Sequence, residues 1–89
     1  MKKHFDITVF GKVQNVGFRF YTNKRAQEIG LSGYVKNLQN GSVYIEAEGD
    51  EKDLETFLDF IKRGPQWARV DKVDAHESPV MGYEEFRIK

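Results

Sequence analysis

F-G-K-V-Q-N-V-G-F-R-F-Y-T, residues 10–22, is where the period of the chain changes. Before it, Phe5, Ile7 and Val9 alternate with His4, Asp6 and Thr8, the period of two expected of a strand with one buried face. After it, Phe18, Thr22, Ala26 and Ile29 recur at helical spacing while Lys24, Arg25, Gln27 and Glu28 fall off that stripe. A strand from about Lys3 to Phe10 therefore passes into a helix that ends at Gly30, a residue suited to a left-handed C-terminal cap. The loop between them contains Gly11, Asn15 and Gly17, the residues most able to adopt positive φ. In outline this is an anion cradle. Backbone N–H groups converge, the helix start adds partial positive charge, and Arg19 stands at the junction with a fixed fork of donors.

Working outward, Ser32 to Leu38 reads as a second strand, Gln39-Asn40-Gly41 as a hairpin turn, and Ser42 to Glu48 as the returning strand with Val43, Ile45 and Ala47 inward. Asp50 can cap a second helix, with Glu51 and Asp53 favourable in its first turn. Leu54, Phe57, Leu58 and Ile61 give that helix its apolar stripe, and Gly64-Pro65 stops it. A fourth strand follows from about Arg69 to Glu77, with Val73 and Ala75 on one face and Val70 out of phase. Ser78-Pro79 to Gly82 reads as a loop and Tyr83 to Ile88 as a short last strand. The expected fold class is α+β: a single domain, residues 1–89, with the β-α-β-β-α-β order of the ferredoxin-like sandwich. Two helices cover one face of an antiparallel sheet, and a short extra C-terminal strand completes it.

Composition narrows the function classes. The 89 residues suffice for one modest core, and 39% hydrophobic with 31% charged residues is ordinary for a globular domain. Lys+Arg and Asp+Glu are equal at 14 each, which argues against reliance on bulk charge to hold nucleic acid or a membrane surface. No apolar run approaches the roughly 18 residues of a membrane span, and Met-Lys-Lys-His-Phe-Asp has no apolar signal core behind it. Without cysteine there is no disulfide framework, thiolate nucleophile or thiolate metal cluster. A cytoplasmic monomer is the resulting expectation.

Among the polar residues, Arg19 and Asn37 stand out. A surface arginine most often forms a solvated face, but this one follows Gly17-Phe18 at a strand-to-helix junction, where an anion site needs it. An asparagine just before Gln-Asn-Gly most often serves the turn, yet a carboxamide can orient a water by accepting from it. His4 falls on the outward face of the first strand and His76 near the end of the fourth. Neither sits in a ligand-spaced cluster, so no metal and no cofactor are expected. Thr22 is expected to pack on the sheet, and Trp67 to close the sandwich edge. RNA-recognition domains share this element order, and residues 16–21 echo an aromatic-basic stacking motif. That motif belongs on a central strand, so no nucleic-acid partner is expected here.

Gly11-x-Val13-Gln14-x-Val16-Gly17-Phe18-Arg19, then Gly33-Tyr34-Val35-Lys36-Asn37, Gly41-x-Val43, Glu48-Gly49 and the Phe86-x-Ile88 ending together closely resemble the acylphosphatase family. The resemblance covers nearly the whole chain. It implies that the amides of Gln14, Asn15, Val16, Gly17, Phe18 and Arg19 cradle a substrate phosphate, that the Arg19 side chain binds it, and that Asn37 positions the attacking water. It implies a metal-independent hydrolase that cleaves the carboxyl-phosphate bond of a small acyl phosphate. One position departs from the family, which usually has Gln-Gly-Val where this chain has Gln14-Asn15-Val16. That departure keeps open the alternative of a catalytically weak phosphate-binding or regulatory domain.

Overall fold

The sheet is built outward from its first strand. The computed structural model describes all 89 residues, Met1–Lys89. Strand β1 (Lys2–Lys12) pairs antiparallel on one side with β3 (Val43–Asp50) and on the other with β4 (Arg69–Ser78), because Ile7 and Val9 carry its buried face into the centre of the molecule. Strand β2 (Ser32–Asn37) forms the antiparallel hairpin with β3. The turn uses Asn40 as an acceptor as well as a turn former, its Oδ1 taking the Ser42 N–H at 3.0 Å.

The short last strand behaves differently from its neighbours. Strand β5 (Phe86–Ile88) lies beside β2 and runs parallel to it, giving a mixed sheet in the order β4-β1-β3-β2-β5. The chain leaves β4 at one edge, crosses the face away from the helices and enters the opposite edge in the same sense as β2. The strand expected from Tyr83 begins only at Phe86, because the Tyr83 N–H is engaged by the Glu48 carboxylate instead of a neighbouring strand.

Helix α1 (Phe18–Ile29) and helix α2 (Glu51–Arg63) pack on the face presented by Ile7, Val9, Val35, Ile45 and Ala47. From α1 come Phe18, Thr22 and Ala26, and from α2 Leu54, Phe57 and Ile61, all buried as the helical stripes require. Asp50 caps α2 by accepting the Lys52 N–H at 3.1 Å. Truncating Phe57, which is fully buried, is expected to cost about 3–5 kcal/mol through lost burial and a residual cavity. Neither helix is long and apolar enough to cross a membrane.

A β-bulge explains the phase break in β4. Phe10 pairs with Lys72 but Gly11 with Val70, so Asp71 is the extra residue, and Val70 returns to the same side as Val73 to pack on the core. Gly11 is required at this point. Its φ is 133°, and a Cβ there would run into the Arg69 carbonyl oxygen. Pairing with β4 resumes past the bulge, with Gly11 opposite Val70 and Lys12 opposite Arg69, and β1 ends there, at the loop before α1.

Besides the antiparallel sheet, which the parallel β5 makes mixed, and the later start of that strand, two side-chain expectations need correction. His4 does project from the face away from the helices, but it is only 1% exposed, because residues 79–85 cross that face and cover it. Trp67 does not close the sandwich edge; it is 73% exposed.

Candidate active site

The loop from Val13 to Gly17 is pinned by its ends. Val13 and Phe18 are each 1% exposed and anchor the segment in the core, while Asn15 and Gly17 between them face solvent. Asn15 is the one non-glycine residue with positive φ, at 63°, as the sequence departure at this position demands. Gly17, at φ 77°, precedes α1 without any side chain capping the helix. The first helical hydrogen bond runs from Tyr21 N–H to the Gly17 carbonyl at 3.0 Å, so the N–H groups of Phe18, Arg19 and Phe20 precede the ladder. A helix start left open in this way offers donors and a positive dipole end to an anion.

The loop and the hairpin meet at one cavity of about 210 Å³. Asn15, Gly17, Phe18 and Arg19 line one side, Asn37 and Ile88 another. Arg19 and Asn37, far apart in sequence, thus share a single space. Arg19 is exposed, with Nη1 3.4 Å from the Lys89 backbone oxygen. Asn37 ends β2 half-buried, and its Oδ1 is buried with no hydrogen-bond partner. An orphaned carbonyl of this kind costs about 1–3 kcal/mol, which a water donating to it would recover. No carboxylate or imidazole lines the cavity.

Gln14 and Val16 do not line this space, although both were expected in the cradle. The Gln14 side chain braces it from behind, Nε2 donating to the carbonyls of Leu38 at 2.7 Å and Ser42 at 2.9 Å. Sequence reasoning assigned Gln14 only an amide. Its side-chain role depends on hairpin carbonyls that no local pattern brings near it.

A second polar constellation lies on the other face of the sheet. His4 Nδ1 is 2.8 Å from Glu48 Oε2, and Nε2 lies 3.0 Å from Asp6 Oδ1 and 3.2 Å from Glu46 Oε1. Glu48 accepts the N–H groups of Met81, Gly82 and Tyr83, and Glu46 accepts the hydroxyls of Tyr34, Tyr44 and Tyr83. Burial alone would push both carboxyls up, but these donors and His4 hold them below the usual carboxylate range. Burial likewise works against the charged imidazole of His4, and its bonds to Glu48 and Asp6 outweigh that and raise it. Burial and Glu46 push the Tyr83 hydroxyl up to about 12. The alternation Tyr44, Glu46, Glu48 on one strand face was the available signal for this cluster.

The fold is thus a mixed α+β sandwich that opens a helix N-terminus, an arginine and a strand-end carboxamide onto one small cavity. An Acylphosphatase family profile matches residues 5–88. An acylphosphatase from Thermotoga maritima is 47% identical over 98% of this chain and 97% of its own. One from Archaeoglobus fulgidus is 46% identical over 93% of each. The crystal structure of acylphosphatase from Bacillus subtilis superposes with a TM-score of 0.96 at 37% identity, covering 100% of this chain and 99% of that one. This chain belongs to the acylphosphatase family.

Proposed function

We propose that this protein hydrolyses the carboxyl-phosphate bond of small acyl phosphates, with Arg19 and the cradle amides binding the phosphoryl group and Asn37 positioning the attacking water. The observation that carries the assignment of roles is the shared cavity of Arg19 and Asn37, with the open start of α1 between them. An acyl phosphate already has a good leaving group, so catalysis needs positioning and charge stabilisation more than a strong nucleophile. The Arg19 guanidinium and the amides around Gly17 stabilise the charge on the equatorial phosphoryl oxygens. The Asn37 Oδ1 accepts one hydrogen of the water and fixes its lone pair toward phosphorus. The O–P bond forms as the bond to the carboxylate oxygen breaks, and the carboxylate leaves with the electron pair. Since no carboxylate or imidazole lines the cavity and the Arg19 guanidinium is already protonated, the water's proton passes to a phosphoryl oxygen or to solvent.

Residues 1–89 are read as one domain acting as a cytoplasmic monomer on a small-molecule substrate, without a nucleic-acid or membrane partner. The aromatic-basic segment 16–21 supports this reading, because it lies in the loop and the first turn of α1, where it gives no stacking platform on a strand. The test is steady-state hydrolysis of benzoyl phosphate in the presence of a chelator. Arg19→Ala and Asn37→Ala should each lower kcat/KM by roughly 10²–10³ relative to the parent protein, the usual effect of losing one preorganised group. Phosphate binding without turnover in the parent protein would instead establish the regulatory-domain alternative.

A further inference from the structure

We propose that His4, Asp6 and Glu46, with His76 beside them, form a binding site for a divalent transition cation such as Zn²⁺ on the sheet face opposite the helices. His4 Nε2, Asp6 Oδ1 and Glu46 Oε1 converge within 4.8 Å of one another. The two separations from the imidazole nitrogen, 3.0 and 3.2 Å, are close to the ~3.3 Å edge of a tetrahedron with Zn–N and Zn–O bonds of about 2.0–2.1 Å. The other nitrogen of His4 is already oriented by Glu48 at 2.8 Å, the carboxylate-histidine support that metal-bound imidazoles characteristically have.

Register supplies a fourth donor. Asp6 pairs with Glu46 on one side and with His76 on the other, so His76 projects from the same face beside Asp6. It is exposed and free to turn toward the others. Both histidines of the chain therefore flank one aspartate, although 72 positions separate them in sequence.

Charge favours a dication over a proton. Three carboxylates surround His4, so even a protonated imidazole leaves the group formally negative. The tyrosine hydroxyls on Glu46 and the backbone N–H groups on Glu48 solvate that charge without neutralising it. Replacing the Nε2 proton by a dication reduces the excess. The imidazole donor selects a borderline metal over Mg²⁺ or Ca²⁺, which prefer oxygen ligands. The half-exposed Asp6 carboxylate gives the ion a way in from solvent. His4 lies eight residues along β1 from Lys12, about 26 Å at the strand rise, so the ion ties β1, β3 and β4 together and takes no part in hydrolysis.

Chelator-stripped protein is titrated with ZnCl₂ by calorimetry and thermal melting, with MgCl₂ as the control. One Zn²⁺ per chain should bind at micromolar concentration or tighter, raise Tm, and leave benzoyl phosphate hydrolysis at 25 °C unchanged, while Mg²⁺ does none of this. Asp6→Asn should weaken Zn²⁺ binding by about tenfold or more. His76→Ala should do the same, and if only Asp6→Asn does, the site stands with water as its fourth ligand. Co²⁺ should give the intense visible absorption of a four-coordinate centre. Absence of saturable Zn²⁺ binding, equal binding of Mg²⁺, or full Zn²⁺ affinity in the Asp6→Asn/His76→Ala double variant would overturn the site.

Discussion

The Gln14 carboxamide lies 2.7 Å from the carbonyl oxygen of Leu38, the residue next to Asn37, and so fastens the loop before α1 to the strand end that carries Asn37. The same nitrogen reaches Ser42 at 2.9 Å on the far side of the turn. Gln14→Ala removes one donor from each carbonyl, Leu38 keeping the Gly41 N–H and Ser42 the Leu38 N–H, and should cost about 1 kcal/mol in denaturant melts. If the bond sets the geometry between loop and hairpin, kcat should fall while phosphate inhibition stays near its parent value. An unchanged kcat would show that the tether serves folding alone.

Arg19→Lys separates charge from geometry. A lysine restores the positive charge but not the planar fork, so it should recover only a minor part of the activity lost in Arg19→Ala. Full recovery would mean that the guanidinium acts only as a point charge.

Asn37→Asp is nearly isosteric and keeps an acceptor near the orphaned Oδ1 position, while adding negative charge beside a phosphoryl dianion. It should bind inorganic phosphate more weakly as well as turn over more slowly. Asn37→Ala should lose kcat with little change in phosphate affinity, and competitive inhibition by phosphate measures the difference.

Asn15 adopts φ 63°, a conformation open to glycine at less cost. Asn15→Gly relieves that strain but gives the unfolded chain more freedom, so the fold should be unchanged or more stable. A loss of more than about 1 kcal/mol in a urea melt contradicts this account.

Glu48 is a buried carboxylate holding the Met81, Gly82 and Tyr83 N–H groups together with His4. Glu48→Ala strands all of these donors at once and should destabilise the protein by about 3–5 kcal/mol, as for a broken buried ion pair. Hydrogen exchange should rise first at residues 81–83, since these lose their acceptor. Protection unchanged there would remove Glu48 as the anchor of the crossing segment.

The family, the element order and the loop were legible in the chain because each is written locally. Period two becomes period 3.6 across residues 10–22, Asn40-Gly41 marks the hairpin, and Gly64-Pro65 stops the second helix. The break at Val70 was visible too, but its cause was not. A bulge opposite Gly11 exists only once β1 and β4 are in register.

Alternating and helical apolar spacing determined by itself which faces the sheet and the helices turn toward each other, and the glycines and Asn15 between strand and helix determined where the chain takes positive φ. Tertiary structure alone decided that β5 runs parallel to β2, that Gln14 braces the hairpin, and that His4 is enclosed with Glu46 and Glu48. Periodicity reports how each element meets water, whereas these contacts join residues from different strands. Their distances are fixed only when the sheet closes and the 79–85 segment is drawn across it.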